Sequence, residues 1–222
     1  MIHHSPAVQD YLKGIYMLSK ELGASHPVPT SALADRLGVT PASATNMLKK
    51  LDSLGLVEHV NYRGAALTEP GRKIALEVIR HHRLLETYLA EALGVPWDQV
   101  HAEAEVLEHF LSEELEERIA AQLGHPEFDP HGHPIPTKDG AMPERSEQLL
   151  WETSEGSKVA VERVSDQEAE ALRYLGSIGI LPGAGLEIVG RGPLAGPLYV
   201  KVQAGDDVHA LSKELAEAVW VA

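Results

Sequence analysis

PVPTSALADRLGVTPASATNMLKKLDSLGLVEHVNYRGAALT, residues 27–68, is the stretch whose reading decides the fold. Thr30 or Ser31 opens a short helix that stops at Gly38. Thr40-Pro41 then caps a second helix, which runs to about Leu54 and ends at Gly55. Only Gly38-Val39-Thr40 separates the two, the tight turn of a helix-turn-helix. Strand-like runs at 56–60 and 65–68 flank Asn61-Tyr62-Arg63-Gly64, which has hairpin-turn chemistry. A helix-turn-helix followed by a two-stranded wing is a winged helix. From Thr40 and Pro41 onward the outer face of the second helix presents Ser43, Thr45, Asn46, Lys49 and Lys50. Small polar groups with two cations suit a major groove, and Arg63 adds a cation on the wing. The bland alternative is a solvated face in a generic three-helix domain.

Charge permits this reading. The net charge is −14, but residues 1–73 hold eight Lys/Arg against six Asp/Glu, so the acidity lies beyond them. The chain has no cysteine, which removes disulfides, thiolate catalysis, iron–sulfur clusters and classical zinc fingers. Any metal is held by oxygen and imidazole. No run approaches a membrane span, and residues 1–10 lack the basic and apolar regions of a signal peptide. A soluble, cytoplasmic protein is expected, with no membrane partner.

Upstream, Ser5-Pro6 starts an amphipathic helix ending near Gly23, with Asp10 and Lys13 close to its apolar edge. Asp10 near the helix start also suits the positive end of the dipole. Downstream, a helix runs from Arg72 to about Leu93 and carries His81, His82 and Glu86; His82 and Glu86, four apart, share a face. Residues 98–123 then read as one long helix, with Asp98 as N-cap and Gly124 past its end. Val100, Ala104, Leu107, Leu111 and Leu115 form its apolar stripe. Beside them lie His101, Glu105, Glu108 and His109, at offsets of 4, 7 and 8 from His101. Two imidazoles and two carboxylates at a core-facing edge call for a divalent cation. A solvated acidic helix accounts for the same residues equally well, since Glu103, Glu113, Glu114, Glu116 and Glu117 are here too.

Past this helix the texture changes. Four prolines fall within 126–136, so that segment is irregular; His125, His131 and His133 invite a metal reading, but an irregular loop seldom preorganises ligands and they are read as structural. Residues 141–156 read as a linker with a helical patch around Leu149-Leu150-Trp151. Strand-like runs at 159–164, 185–189, 198–202 and 219–221 surround one helix from Asp166 to about Ile178, opened by a Ser165-Asp166-Gln167-Glu168 capping box. A small SH3-type β-barrel is the economical fold.

In this order the elements resemble the diphtheria-toxin-repressor family of metal-dependent transcriptional regulators, over essentially the whole chain. VQDYLKGIY, RHHRLLETYL, HAEAEVLEH and PHGHPIP carry the resemblance. It implies a mainly α chain. Residues 1–73 would form the winged helix, 74–140 a helical metal-binding and dimerisation domain, 141–156 a linker, and 157–222 an SH3-like, FeoA-like domain. It also implies two metal sites per subunit. The first is similar to Asp10, Glu105, Glu108 and His109. The second is similar to His82, Glu86 and His101, completed from the third domain with Glu168 as candidate; Ala171 stands where a further ligand is offered. Iron-sensing members carry methionine and cysteine at the positions of Asp10 and Glu105, whereas manganese sensors carry the carboxylates found here. Hard oxygen donors favour Mn²⁺, with Fe²⁺ as the alternative. Lys13 stands where the shorter manganese regulators place a glutamate ligand, so two separated sites are expected. The implied function is repression of metal-homeostasis genes by a homodimer on double-stranded operator DNA.

Other classes fit less well. A ferritin-like di-iron oxidase needs paired Glu-x-x-His repeats, which Glu105-x-x-Glu108-His109 does not supply, and there is no HExxH. No enzyme is therefore expected. A pure interaction module would leave the basic recognition helix unexplained.

Overall fold

A computed structural model of the chain describes residues 4–23, 26–60, 63–194, 196–203 and 205–222. Its contacts divide it into two compact units. One comprises Met1–His81, Glu108–Phe110 and Pro136–Ala141; the other comprises His82–Leu107, Leu111–Ile135 and Met142–Ala222.

In the first unit, α1 (Pro6–Glu21), α2 (Thr30–Arg36) and α3 (Pro41–Ser53) bury Leu12, Ile15, Leu33, Ala44, Leu48 and Leu51. Thr40 caps α3, its hydroxyl accepting from Ser43 N. The wing is β1 (Val57–Val60) paired antiparallel with β2 (Gly64–Leu67), Val57 opposite Leu67. Asn61 and Tyr62 of the expected hairpin turn lie outside the described residues. Val28 bridges Ala65 through two backbone hydrogen bonds. That close approach explains Gly64: with φ 107°, a Cβ there would lie 2.0 Å from the Val28 carbonyl oxygen.

The helix α4 (Glu69–Leu93) gives its first half to this unit and its second half to the other. The expected domain boundary between residues 73 and 74 thus falls inside one continuous helix. The single helix expected over 98–123 is two, α5 (Val100–Leu107) and α6 (Glu113–Gln122). Neither proline nor glycine breaks it. The chain leaves α5 at Leu107, and Ser112 starts α6 as an extended N-cap whose side chain accepts from Leu115 N. The expected stripe is interrupted accordingly: Val100 and Ala104 are buried, whereas Leu107 and Leu115 are exposed.

In the second unit, Leu84 and Leu85 of α4 pack with Ala104, Ile119, Ala120 and Ile135. A second core belongs to an antiparallel sheet of β3 (Lys158–Val164), β4 (Gly185–Arg191), β5 (Leu198–Val202), β6 (Val208–Leu211) and β7 (Val219–Val221). The strand order is β6-β5-β4-β3-β7. Bulges between Val161 and Arg163 and between Ile188 and Gly190 bend this SH3-like sheet, and no pairing closes it into a barrel among the described residues. Leu172 and Leu175 of α7 (Ala169–Ser177) cover its core. The edge strand β6 and the short helix α8 (Lys213–Glu217) were not expected from the sequence. The end of the expected linker is tied to the sheet, since Leu149 bridges Trp220 and Leu150–Glu152 forms a 3-10 turn.

The segment 124–135 is irregular, as its prolines require, yet it is pinned. Phe128 bridges Pro134, and Val164 N donates to His131 O at 2.8 Å. Gly132 has φ 87°, and a Cβ on it would lie 2.0 Å from the Glu162 carbonyl oxygen. Gly132→Ala should therefore lower unfolding stability by on the order of 2 kcal/mol, read from the denaturant midpoint. An unchanged midpoint would show that the loop yields freely.

Candidate metal centre and nucleic-acid interface

The second half of α4 places His82 and Glu86 one turn apart, and α5 brings His101 to them. His82 Nε2 lies 2.9 Å from Glu86 Oε1 and 3.1 Å from His101 Nδ1, and His101 Nδ1 lies 3.2 Å from the same carboxylate oxygen. Three potential donors thus form a nearly equilateral triangle. An octahedral ion with donors about 2.1 Å away holds neighbouring donors about 3.0 Å apart, so the triangle matches one octahedral face. Asp166 Oδ2 stands 3.6 Å from His101 Nδ1. Glu105 is exposed, with its Oε1 3.8 Å from His82 Nδ1 and 3.9 Å from His101 Nε2.

Glu168, the residue expected to complete this group, is exposed at the N-cap of α7 and makes no capping bond. The expected capping box does not form. Ser165 N instead donates to Ala218 O, which keeps the chain extended and starts the helix three residues late. Asp166, in the extended stretch after that tether, lies beside His101.

In the first unit, Asp10 of α1 meets Glu108 and His109 in the turn 108–110. Asp10 Oδ1 lies 2.9 Å from His109 Nε2, while His109 Nδ1 lies 2.7 Å from Gln9 Oε1. A ring that donates from Nδ1 to an amide oxygen presents a lone pair at Nε2, which then faces a carboxylate and calls for a proton or a metal between them. Glu108 is fully buried, and the Lys13 ammonium donates to both its oxygens at 2.9 and 2.8 Å. Lys13 thus supplies a cation inside this group.

A third group lies in the loop whose histidines are read as structural from the sequence. Asp129, His131 and His133 bring ligand atoms within 4.8 Å of one another. Asp129 Oδ1 accepts from the backbone of His131 and His133 at 2.8 and 2.9 Å, and His131 Nε2 lies 2.7 Å from Trp97 O. The signal was present as an Asp-x-His-x-His run, but the prolines hid how firmly the loop is held.

Electrostatics separate these side chains from solvated ones. Burial alone would raise Glu86, but the charge of His82 and the imidazoles of His101, His131 and His82 around it hold it well below the usual carboxylate range. Burial would lower His131, yet the carboxylates of Glu86, Asp129 and Asp166 push it up to about 9. Asp166 is likewise lowered to about 2: burial opposes this, and the positive charges of His133 and His101 prevail.

On α3, Thr40, Pro41, Ser43, Asn46, Lys49 and Lys50 are exposed, as is Arg63 on the wing. Thr45 is half-buried and donates its hydroxyl to Pro41 O at 2.8 Å, which binds it to its own helix. Asp52 accepts from His59 N at 3.0 Å and fixes the wing against α3.

Residues 3–65 match the family described as iron dependent repressor, N-terminal DNA binding domain, and residues 68–137 match its metal binding and dimerisation domain. The iron-dependent repressor IdeR of Mycobacterium leprae is 34% identical over 225 residues, covering 95% of this chain and 94% of that one. The chain belongs to the iron-dependent repressor family. This family comprises metal-dependent transcriptional repressors, and residues 149–222 of this repressor match the FeoA domain. MntR of Bacillus subtilis is 36% identical over 115 residues, spanning 52% of this repressor and 78% of its own length. A solved manganese-dependent transcriptional repressor in complex with manganese superposes with a TM-score of 0.89 at 42% identity, covering 96% of this repressor and 98% of that chain.

The donors fit a hard divalent cation. All are carboxylate oxygen or imidazole nitrogen, and Glu86 Oε2 is buried without a hydrogen-bond partner. If Asp166 rather than Glu168 completes the His82 group, Asp166→Asn should weaken Mn²⁺ binding by about 10–100-fold, while Glu168→Gln leaves it unchanged. Calorimetric titration of both variants decides between them; the reverse order would restore Glu168.

Proposed function

We propose that this chain is a manganese-dependent DNA-binding repressor, acting in the cytoplasm as a homodimer on operator DNA that controls metal homeostasis. The observation that carries the metal assignment is the Asp10, Glu108 and His109 group, two carboxylates and an imidazole with no sulfur donor. Glu105 belongs to the proposed first set by the resemblance. His82, Glu86 and His101 form the proposed second set, with Asp166 from the FeoA-matching region. Iron(II) is the competing reading, favoured by the identity to the mycobacterial iron-dependent repressor. No catalytic role is assigned to any of these residues.

The regulatory logic follows from where the donors sit. A bound divalent cation supplies charge and a defined coordination geometry. Asp10 is on α1, in the unit that carries α3, whereas Glu108 and His109 form the turn between α5 and α6 in the chain. Holding Asp10 against that turn restricts how α3 can move. Two restricted copies can then engage half-sites about 34 Å apart with both recognition helices at once. Val106 and Leu107 of α5 and Leu115 of α6 are exposed large apolar side chains, which supports a second copy as partner.

Asp10→Ala should keep the fold and the dimer but lose most of the Mn²⁺-dependent gain in binding to a duplex selected from a random pool. Lys49→Ala should weaken all duplexes alike and flatten the salt dependence by about one ion. Filter binding with and without Mn²⁺ tests both. A full metal-dependent gain in the Asp10 variant would move the switch to the His82 group.

A further inference from the structure

We infer that the loop Asp129, His131 and His133 forms a third cation position that adjoins the His82, Glu86, His101 and Asp166 group and shares Glu86 and Asp166 with it. The inference rests on the metal-dependent reading above and extends it. Three observations carry it.

The first is a set of buried polar atoms without hydrogen-bond partners: Glu86 Oε2, Asp129 Oδ2, His131 Nδ1 and His133 Nδ1. The side chains of Asp129, His131 and Glu86 have no exposed surface. Orphaned polar atoms at this depth are costly, and four in one neighbourhood are not a packing accident.

The second is that their orientation is fixed by other bonds. Asp129 spends Oδ1 on two backbone N–H groups, so Oδ2 is left to face inward. Trp97 O accepts from His131 Nε2, so Nδ1 is the nitrogen left to hold a proton or a cation. Backbone carbonyls orient metal-bound histidines in this way.

The third is spacing. His131 Nδ1 lies 3.8 Å from Glu86 Oε2, and His133 Nδ1 lies 3.4 Å from Asp129 Oδ2 and 3.8 Å from Asp166 Oδ2. These separations exceed a hydrogen bond. They fall between the about 3.0 Å of neighbouring donors and the about 4.2 Å of opposite donors around an ion with bonds of about 2.1 Å. Glu86 already turns Oε1 to His82 and His101, and Asp166 Oδ2 faces His101 as well as His133. Each carboxylate therefore touches both groups, as a bridging ligand does. Arg83 Nε, 3.8 Å from Asp129 Oδ2, is the competing partner; its guanidinium already donates to Pro134 O.

The test is Mn²⁺ titration of the full chain beside His133→Ala and Asp129→Asn, the latter retaining the Oδ1 bonds that hold the loop. Each variant should bind one Mn²⁺ fewer per chain than the parent. The electron paramagnetic resonance spectrum of the loaded parent should show two exchange-coupled Mn²⁺ ions, a readout that needs no variant. Equal stoichiometry in all three proteins with an uncoupled parent spectrum overturns the inference and leaves Asp129 as the counter-ion of Arg83. Failure of the regulatory reading shows separately, as operator binding indifferent to Mn²⁺.

Discussion

A carboxylate with no exposed surface stays ionised only if positive charge or donors surround it, and Glu86 and Glu108 both meet that constraint. They meet it differently. Glu108 is held by the Lys13 ammonium, so one cation is built into the first group. Glu86 is held by imidazoles, whose charge depends on a proton or a metal taking the shared space. The first arrangement limits the Asp10 group to few ions. The second leaves the charge balance around Glu86 to be completed by a proton or a cation.

Whatever depends on local spacing is legible in the sequence. His82 and Glu86, four apart on a helix, pair from their spacing alone, and the turn from Gly38 to Thr40 sets α2 against α3 in the same way. Each is a property of one helix or one turn, fixed by backbone geometry. The break between Leu107 and Ser112 is not legible, because no proline or glycine marks it and the serine that caps α6 is a common residue inside helices too. Asp166 is hidden for a related reason. A capping box is a local preference, and the hydrogen bond from Ser165 N to Ala218 O, between residues remote in sequence, overrides it.

The loop at 129–133 shows the same limit from the opposite side. Its prolines correctly signal irregular backbone, but irregular is not the same as loose. Asp129 bonds its own loop, Gly132 packs against the Glu162 carbonyl, and Trp97 orients His131. The last two constraints join parts of the chain far apart in sequence, so no window of the sequence contains them. Residues 1–73, by contrast, are legible as a DNA-binding unit from local element order, the short turn and the wing, and their slight excess of Lys/Arg in a chain of net charge −14 only permits that reading.

If cations and DNA act on one equilibrium, each must tighten the other by the same factor. The direct measurement is Mn²⁺ affinity by titration calorimetry, with and without saturating operator duplex. The account predicts tighter Mn²⁺ binding in the presence of DNA, by on the order of 5–150-fold, equal to the gain Mn²⁺ gives to DNA binding. Identical Mn²⁺ affinity with and without operator would contradict it, for the metal would then be structural and not a switch.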